Sequence, residues 1–218
     1  GRLHISVECR SCFQWLEPSL KRYRADWPEV ELDLFDNLSF PSVSSLLSGD
    51  LDLVITENPV ELNGIFNVPL FAYEAMLAVD KANWLSSREM VLPDDLEKEL
   101  LITYPDERDR LDIFTRFLDP LAIEPTGVRT AELTSMIIQL VASGRGVSCL
   151  PKWILNEHVQ EETVVAKRLG QSGLWRTLYV AIREDQKDMT FMRDFIRTTI
   201  ETCFSTLIGI KAVVESLE

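Results

Sequence analysis

Apolar and polar residues alternate where the chain begins, and the alternation soon gives way to a helical stripe. Leu3-His4-Ile5-Ser6-Val7 has the two-residue period of a strand, while Phe13, Leu16, Leu20, Tyr23 and Trp27 recur along one helical face. Residues 30–35 alternate again and predict a second strand. Pro41 fits the first turn of a helix whose inner face carries Val43, Leu46 and Leu47, with Gly49 placed to end it. Residues 51–56 form a third strand, rich in β-branched side chains. Two strands are expected over 64–70 and 73–79, then a short helix from Pro93 with acidic residues in its first turn. A second cycle follows: a strand at 100–104, a loop at 105–109 and a helix lined by Leu111, Phe114 and Leu118. A strand at 127–130, a helix at 133–143 and a strand at 147–150 complete it. Residues 175–183 are the last long strand. In the final helix Met192, Phe195, Ile196, Thr199, Ile200, Cys203, Phe204 and Leu207 spread too widely for one narrow stripe. Such a helix is expected to have two partners, its own lobe and another subunit.

The β-α-β-α-β order of the first cycle predicts an α/β fold with a parallel sheet and ligands near the carboxyl ends of the strands. Those ends present Glu8, Ser11 and Cys12, then Leu38, Ser39 and Phe40, then Thr56. A strand feeding a helix start leaves backbone N–H groups unpaired under the positive end of the helix dipole, a setting for a carboxylate. This points to a receptor for a small anionic or zwitterionic molecule. Ser11 also suits a helix cap, and both roles stay open. Thr56 either contacts the ligand or finishes a buried strand. Glu8 either holds an α-amino group or is structural. In the second cycle Tyr104, Arg108, Leu133, Thr134 and Ser148 occupy the matching strand ends and helix starts. Arg108 is suited to pair a carboxylate bidentately, although most arginines are solvated or ion-paired at the surface.

Composition narrows the classes. The 218 residues suffice for one large domain or two small ones, and 46% hydrophobic with 26% charged residues is ordinary for a globular protein. A formal net charge of -13 argues against this chain gripping a phosphate backbone. No apolar run approaches the ~20 residues of a membrane span. The opening residues enter a strand directly, without initiator Met or signal-peptide pattern, and a fragment of a longer protein is expected. Cys9, Cys12, Cys149 and Cys203 are read as free thiols of a cytoplasmic protein, since disulfides are rare there. His4 and His158 are isolated and lack metal spacing. No metal or other cofactor is expected, and no Ser/His/Asp constellation is persuasive. Cys9-Arg10-Ser11-Cys12 is a C-x-x-C at a strand-to-helix turn, so redox chemistry stands as an alternative, along with a mixed disulfide to a thiol effector. Gly144-Arg145-Gly146 lacks the rest of a phosphate loop and follows a helix instead of opening one.

Three features together resemble the effector-binding domain of LysR-type transcriptional regulators: the opening β-turn-α, the segment Leu46-Leu47-Ser48-Gly49-Asp50-Leu51-Asp52-Leu53-Val54-Ile55, and the run Val141-Ala142-Ser143-Gly144-Arg145-Gly146-Val147-Ser148-Cys149-Leu150-Pro151. The resemblance implies a two-lobed fold of the periplasmic-binding-protein type (type 2), with a ligand cleft between two Rossmann-like subdomains. Subdomain I is expected over 1–73 and 182–218, and subdomain II over 74–181. Within the family, Glu8-Cys9-Arg10-Ser11-Cys12, Tyr104-Pro105 with Arg108, Arg110, Leu111 and Asp112, and Gly173-Leu174-Trp175 resemble the branch that governs methionine biosynthesis in response to homocysteine. The family's winged helix-turn-helix and linker helix are absent from these residues, so operator DNA binding is not expected of this chain alone. The resemblance further implies homodimers, tetramers of the full-length protein, and no membrane partner. The helix containing Phe13 and Tyr23 and the helix containing Met192 and Leu207 are expected to meet across the two-fold. A periplasmic carrier of the same fold for a small amino acid is the rival reading, and it requires an export signal.

Overall fold

The computed structural model describes residues 1–36 and 42–213. The first cycle is realised as β1 (Arg2–Val7), α1 (Phe13–Asp26), β2 (Glu31–Asp36), α2 (Ser42–Ser48) and β3 (Leu53–Thr56). A 15-residue strand, β4 (Ile65–Val79), replaces the two strands expected there. Then come β5 (Met90–Val91), β6 (Leu100–Thr103), β7 (Gly127–Thr130), α3 (Thr134–Ala142), β8 (Ser148–Pro151), α4 (Lys152–Gln160) and β9 (Val165–Leu169). The chain closes with β10 (Leu174–Arg183), α5 (Thr190–Thr206) and β11 (Ile210–Lys211). It divides into two compact units, Gly1–Tyr73 with Arg176–Glu218 and Glu74–Trp175, so the chain passes between them once in β4 and once in β10. The second passage falls earlier in β10 than the 181–182 boundary read from the sequence.

In the first unit β1 pairs in parallel with β2 on one side and β3 on the other, and β10 closes against β3 antiparallel, with Tyr179 opposite Thr56. Leu3, Ile5, Leu53 and Ile55 are fully enclosed, as near-continuous apolar strands covered on both faces should be. Helix α1 runs on through Pro18 and buries Trp15, Leu16, Leu20 and Tyr23. Trp15 meets Phe71 edge-on at 5.8 Å, and Tyr23 packs edge-on against Phe195 of α5 at 5.3 Å. The Tyr23 hydroxyl donates to the Phe191 carbonyl at 3.1 Å. Helices α1 and α5 thus pack together within one chain, the own-lobe contact expected of the last helix. Gly49, at φ +84°, terminates α2 as expected.

In the second unit alternate residues of one strand feed two cores. Leu77 and Val79 of β4 join Leu101, Ile113, Phe114 and Leu118, whereas Ala78 joins Ile102, Ile137, Val141, Leu150 and Leu155. In this region β8 pairs with Ala75 to Ala78 of β4, and β9 with Leu77 to Val79. The helix expected around Leu111, Phe114 and Leu118 is present over Ile113–Leu118 with a wider, π-type winding, in which the Asp119 N–H donates to the Phe114 carbonyl. Pro120 follows at once and supplies no N–H to prolong it. Gly146, at φ +150°, lets β8 close on β6: a Cβ there would stand 2.6 Å from the Leu100 carbonyl oxygen. That close approach, not a phosphate, accounts for the glycine.

Candidate functional site

β1 and β3 run parallel with Val7 opposite Ile55, so Glu8 and Thr56 leave the first unit's sheet side by side. The Glu8 N–H donates to the Ile55 carbonyl at 2.9 Å, and the Thr56 hydroxyl donates to the Glu8 carboxylate. Thr56 Oγ1 also accepts from the Asn58 N–H at 3.0 Å. Thr56 is 3% exposed and finishes a buried strand, and its hydroxyl orients a carboxylate at the strand ends.

The turn into α1 corrects two expectations. Cys9 and Cys12 are not free thiols; they form a disulfide, leaving Cys149 and Cys203 as the free cysteines. The Cys12 N–H donates back to the Cys9 carbonyl at 3.3 Å, a tight turn that brings the two Cα atoms to 5.4 Å, within reach of a bridge. A thiol contact from Cys12 is therefore unavailable in this state. Nor is Ser11 the N-cap residue. Cys12 is the N-cap, with no side-chain cap bond, and the Ser11 hydroxyl lies 3.4 Å from Cys9 Sγ. The amides that helix geometry leaves without an intrahelical acceptor are those of the first turn, Phe13 and Gln14, one step beyond the pair read from sequence. Leu38, Ser39 and Phe40 lie outside the described residues.

Sequence reasoning missed a neighbouring cluster. The Glu57 carboxylate accepts from the Tyr73 hydroxyl, and Arg176 Nε stands 3.8 Å from Glu57 Oε2. Arg176 also donates to Asn58 Oδ1 at 2.6 Å. The only sequence signal was that Glu57 and Asn58 directly follow a strand end.

In the second unit β6 ends beside the start of α3, and the hydroxyls of Tyr104 and Thr134 are 2.6 Å apart. The Ser148 hydroxyl donates to the Ile102 carbonyl at 2.7 Å and is 1% exposed, so its proton is spent inside the sheet. Leu133 is the N-cap of α3 and 65% exposed. Arg108 is held elsewhere: its guanidinium donates to Asp119 and Glu124 and lies 4.1 Å from the Phe114 ring centroid. Those two carboxylates raise its pKa further, and the surface ion pair weighed for it is the role it has. Among the described residues no group of three His, Cys, Asp or Glu could hold a metal ion, and no helix is long and apolar enough to cross a membrane.

Each unit thus brings hydroxyls and helix-start amides to its strand ends, and the first adds a fixed carboxylate. That is the equipment of a binding domain for a small polar molecule. The LysR substrate binding domain model matches residues 1–203, and the chain belongs to that family of transcriptional regulators, which are not enzymes. Its regulatory domains have the two-lobed, periplasmic-binding-protein-like fold. The HTH-type transcriptional regulator MetR of Salmonella typhimurium is 38% identical over 198 residues, covering 91% of this chain and 62% of the relative. MetR of Haemophilus influenzae is 35% identical over 213 residues, covering 98% and 69%. The regulatory domain of a MetR from N. meningitidis, a LysR family regulator, superposes with a TM-score of 0.90 at 36% identity, covering 98% of this chain and 99% of that one. The chain spans about three-fifths of the length of the Salmonella relative.

Proposed function

We propose that this chain is the effector-sensing part of a cytoplasmic, DNA-binding regulator of methionine biosynthesis genes, and that its effector is homocysteine or a related amino acid. The single observation that carries the reading is the 35–38% identity to MetR proteins over nine-tenths or more of the chain. The polar groups at the strand ends support it. A zwitterionic amino acid needs donors for its carboxylate and an acceptor for its ammonium; the α1 start with the Ser11 hydroxyl supplies the former, and Glu8, oriented by Thr56, the latter. Tyr104, Thr134 and Leu133 stand at the corresponding strand and helix ends of the second unit. Effector affinity that differs between two arrangements of the lobes shifts their populations, and a homodimer passes the shift to operator-binding segments. In the full-length protein the homodimers pair into tetramers.

Calorimetry of the chain with homocysteine, methionine and cysteine tests the effector. Saturable heat with homocysteine is expected, and Glu8→Gln should weaken it by about tenfold, the effect of losing one charged partner worth ~1.4 kcal/mol. No heat with any of the three refutes the effector assignment and leaves the family intact.

A further inference from the structure

Four residues of the first unit pass a hydrogen bond from one to the next. β10 runs antiparallel to β3 with Tyr179 opposite Thr56, so Arg176, earlier on β10, stands beside the chain just past the end of β3. Its guanidinium grips two consecutive residues there. Nη2 donates to Asn58 Oδ1 at 2.6 Å and to the Glu57 carbonyl at 3.4 Å, and Nε stands 3.8 Å from Glu57 Oε2. The Asn58 N–H in turn donates to Thr56 Oγ1 at 3.0 Å, and the Thr56 hydroxyl donates to the Glu8 carboxylate.

A hydroxyl has one proton and two lone pairs. With an N–H on its acceptor side, the Thr56 oxygen keeps its proton turned toward Glu8. Thr56 is 3% exposed, so bulk water does not compete for that proton. Asn58, by contrast, is exposed, and its place is fixed by the grip of Arg176 on its side chain. Through this series the hold on a buried carboxylate begins at a residue on the surface.

We infer that Asn58 and Arg176 are positioning residues for Glu8: they fix the Thr56–Asn58 turn so that Thr56 offers Glu8 a proton and not a lone pair. The inference rests on the reading of Glu8 as the acceptor for an effector's ammonium group, and it requires neither residue to touch the effector. A carboxylate held in this way suits a cationic amine and repels an acid. Loosening the hold should therefore cost affinity for an amino acid and spare its deaminated analogue.

Two measurements on the 218-residue chain test it, the first without any ligand. The Thr56 hydroxyl proton, buried and hydrogen-bonded, should give a slowly exchanging NMR signal correlated to Thr56 Cβ. Asn58→Ala, a change at an exposed position, should bring that proton into fast exchange and abolish the signal, as should Arg176→Met. Asn58→Asp, whose carboxylate still accepts from Arg176, should bring the signal back. Its absence from the unsubstituted chain, or its survival in both Asn58→Ala and Arg176→Met, overturns the inference. The second measurement is calorimetry with homocysteine and with 4-mercaptobutanoate, its deaminated analogue. Asn58→Ala should weaken homocysteine by about fivefold, the worth of one hydrogen bond, and leave the analogue unchanged. Added to Thr56→Val it should cost nothing more, because the two residues act in series. Equal weakening of both ligands, or losses that add, also overturns the inference. Should homocysteine give no heat with the unsubstituted chain, the effector reading falls, and the hydroxyl signal alone decides the positioning role.

Discussion

Cys203 and Tyr23 show how little of a side chain's chemistry is set by its type. Both lie in the first unit's core, with Cys203 fully enclosed and Tyr23 1% exposed. Burial pushes the Cys203 thiol up to about 12 from its usual 9.0, and the Ser19 hydrogen bond offsets only part of that. Burial, then Asp194 and Glu29, push Tyr23 up to about 12 from 10.0. Between roughly pH 9 and 12 the unfolded chain releases protons that the folded chain retains, so stability falls as pH rises. The slope approaches about 1.4 kcal/mol per pH unit for each group. Urea midpoints should hold steady from pH 7 to 8 and decline above 9. Cys203→Ala should remove the decline that begins near 9 and leave the part that begins near 10, which belongs to Tyr23. The sequence presented Cys203 as one apolar-face residue among several; only the packing of α5 on α1 makes it inert.

Periodicity located most elements because burial on one face leaves a mark every two or every three to four residues. It failed where that mark is shared. β4 carries side chains into two cores at once, so its apolar run read as two strands with a break between them. The periodicity picks out neither helix α4 nor strand β9, and it predicts an ordinary helix where Ile113–Leu118 winds wider. Gly146 gives a direct test at this scale. Gly146→Ala would force a Cβ into the Leu100 carbonyl and against the Ile102 side chain at a φ that L-residues avoid. A loss of ~2–4 kcal/mol is expected, combining backbone strain with displacement of β8 from β6. Gly144→Ala, where the nearest atom is a flexible Asp80 oxygen at 3.4 Å, should cost less despite its own φ of +69°. Equal losses in the two variants would show that conformation alone, not the close approach, requires glycine at 146.

At the scale of the whole chain the net charge of -13 makes its own prediction: the 218 residues should give no electrophoretic shift of duplex DNA even at low salt, where phosphate contacts are strongest. A salt-sensitive shift would mean that these residues carry a basic face the composition hides. The alternation of strand and helix, the C-x-x-C turn and the glycine-bearing segments were enough, in the sequence alone, to fix the fold class and the family. They are local patterns, and local patterns survive being read in one dimension. The partners of the site residues did not. Glu8 with Thr56 and Tyr104 with Thr134 stand 48 and 30 residues apart along the chain; the first pair meets through strand register, the second where β6 ends beside the start of α3. The bridge between Cys9 and Cys12 came from the tightness of one turn, and the engagement of Arg108 with Asp119 and Glu124 from a turn wider than its periodicity foretold. Register, turn width and the engagement of Glu57 by Tyr73 and Arg176 exist only once the chain has closed on itself, because each depends on which distant residue arrives alongside.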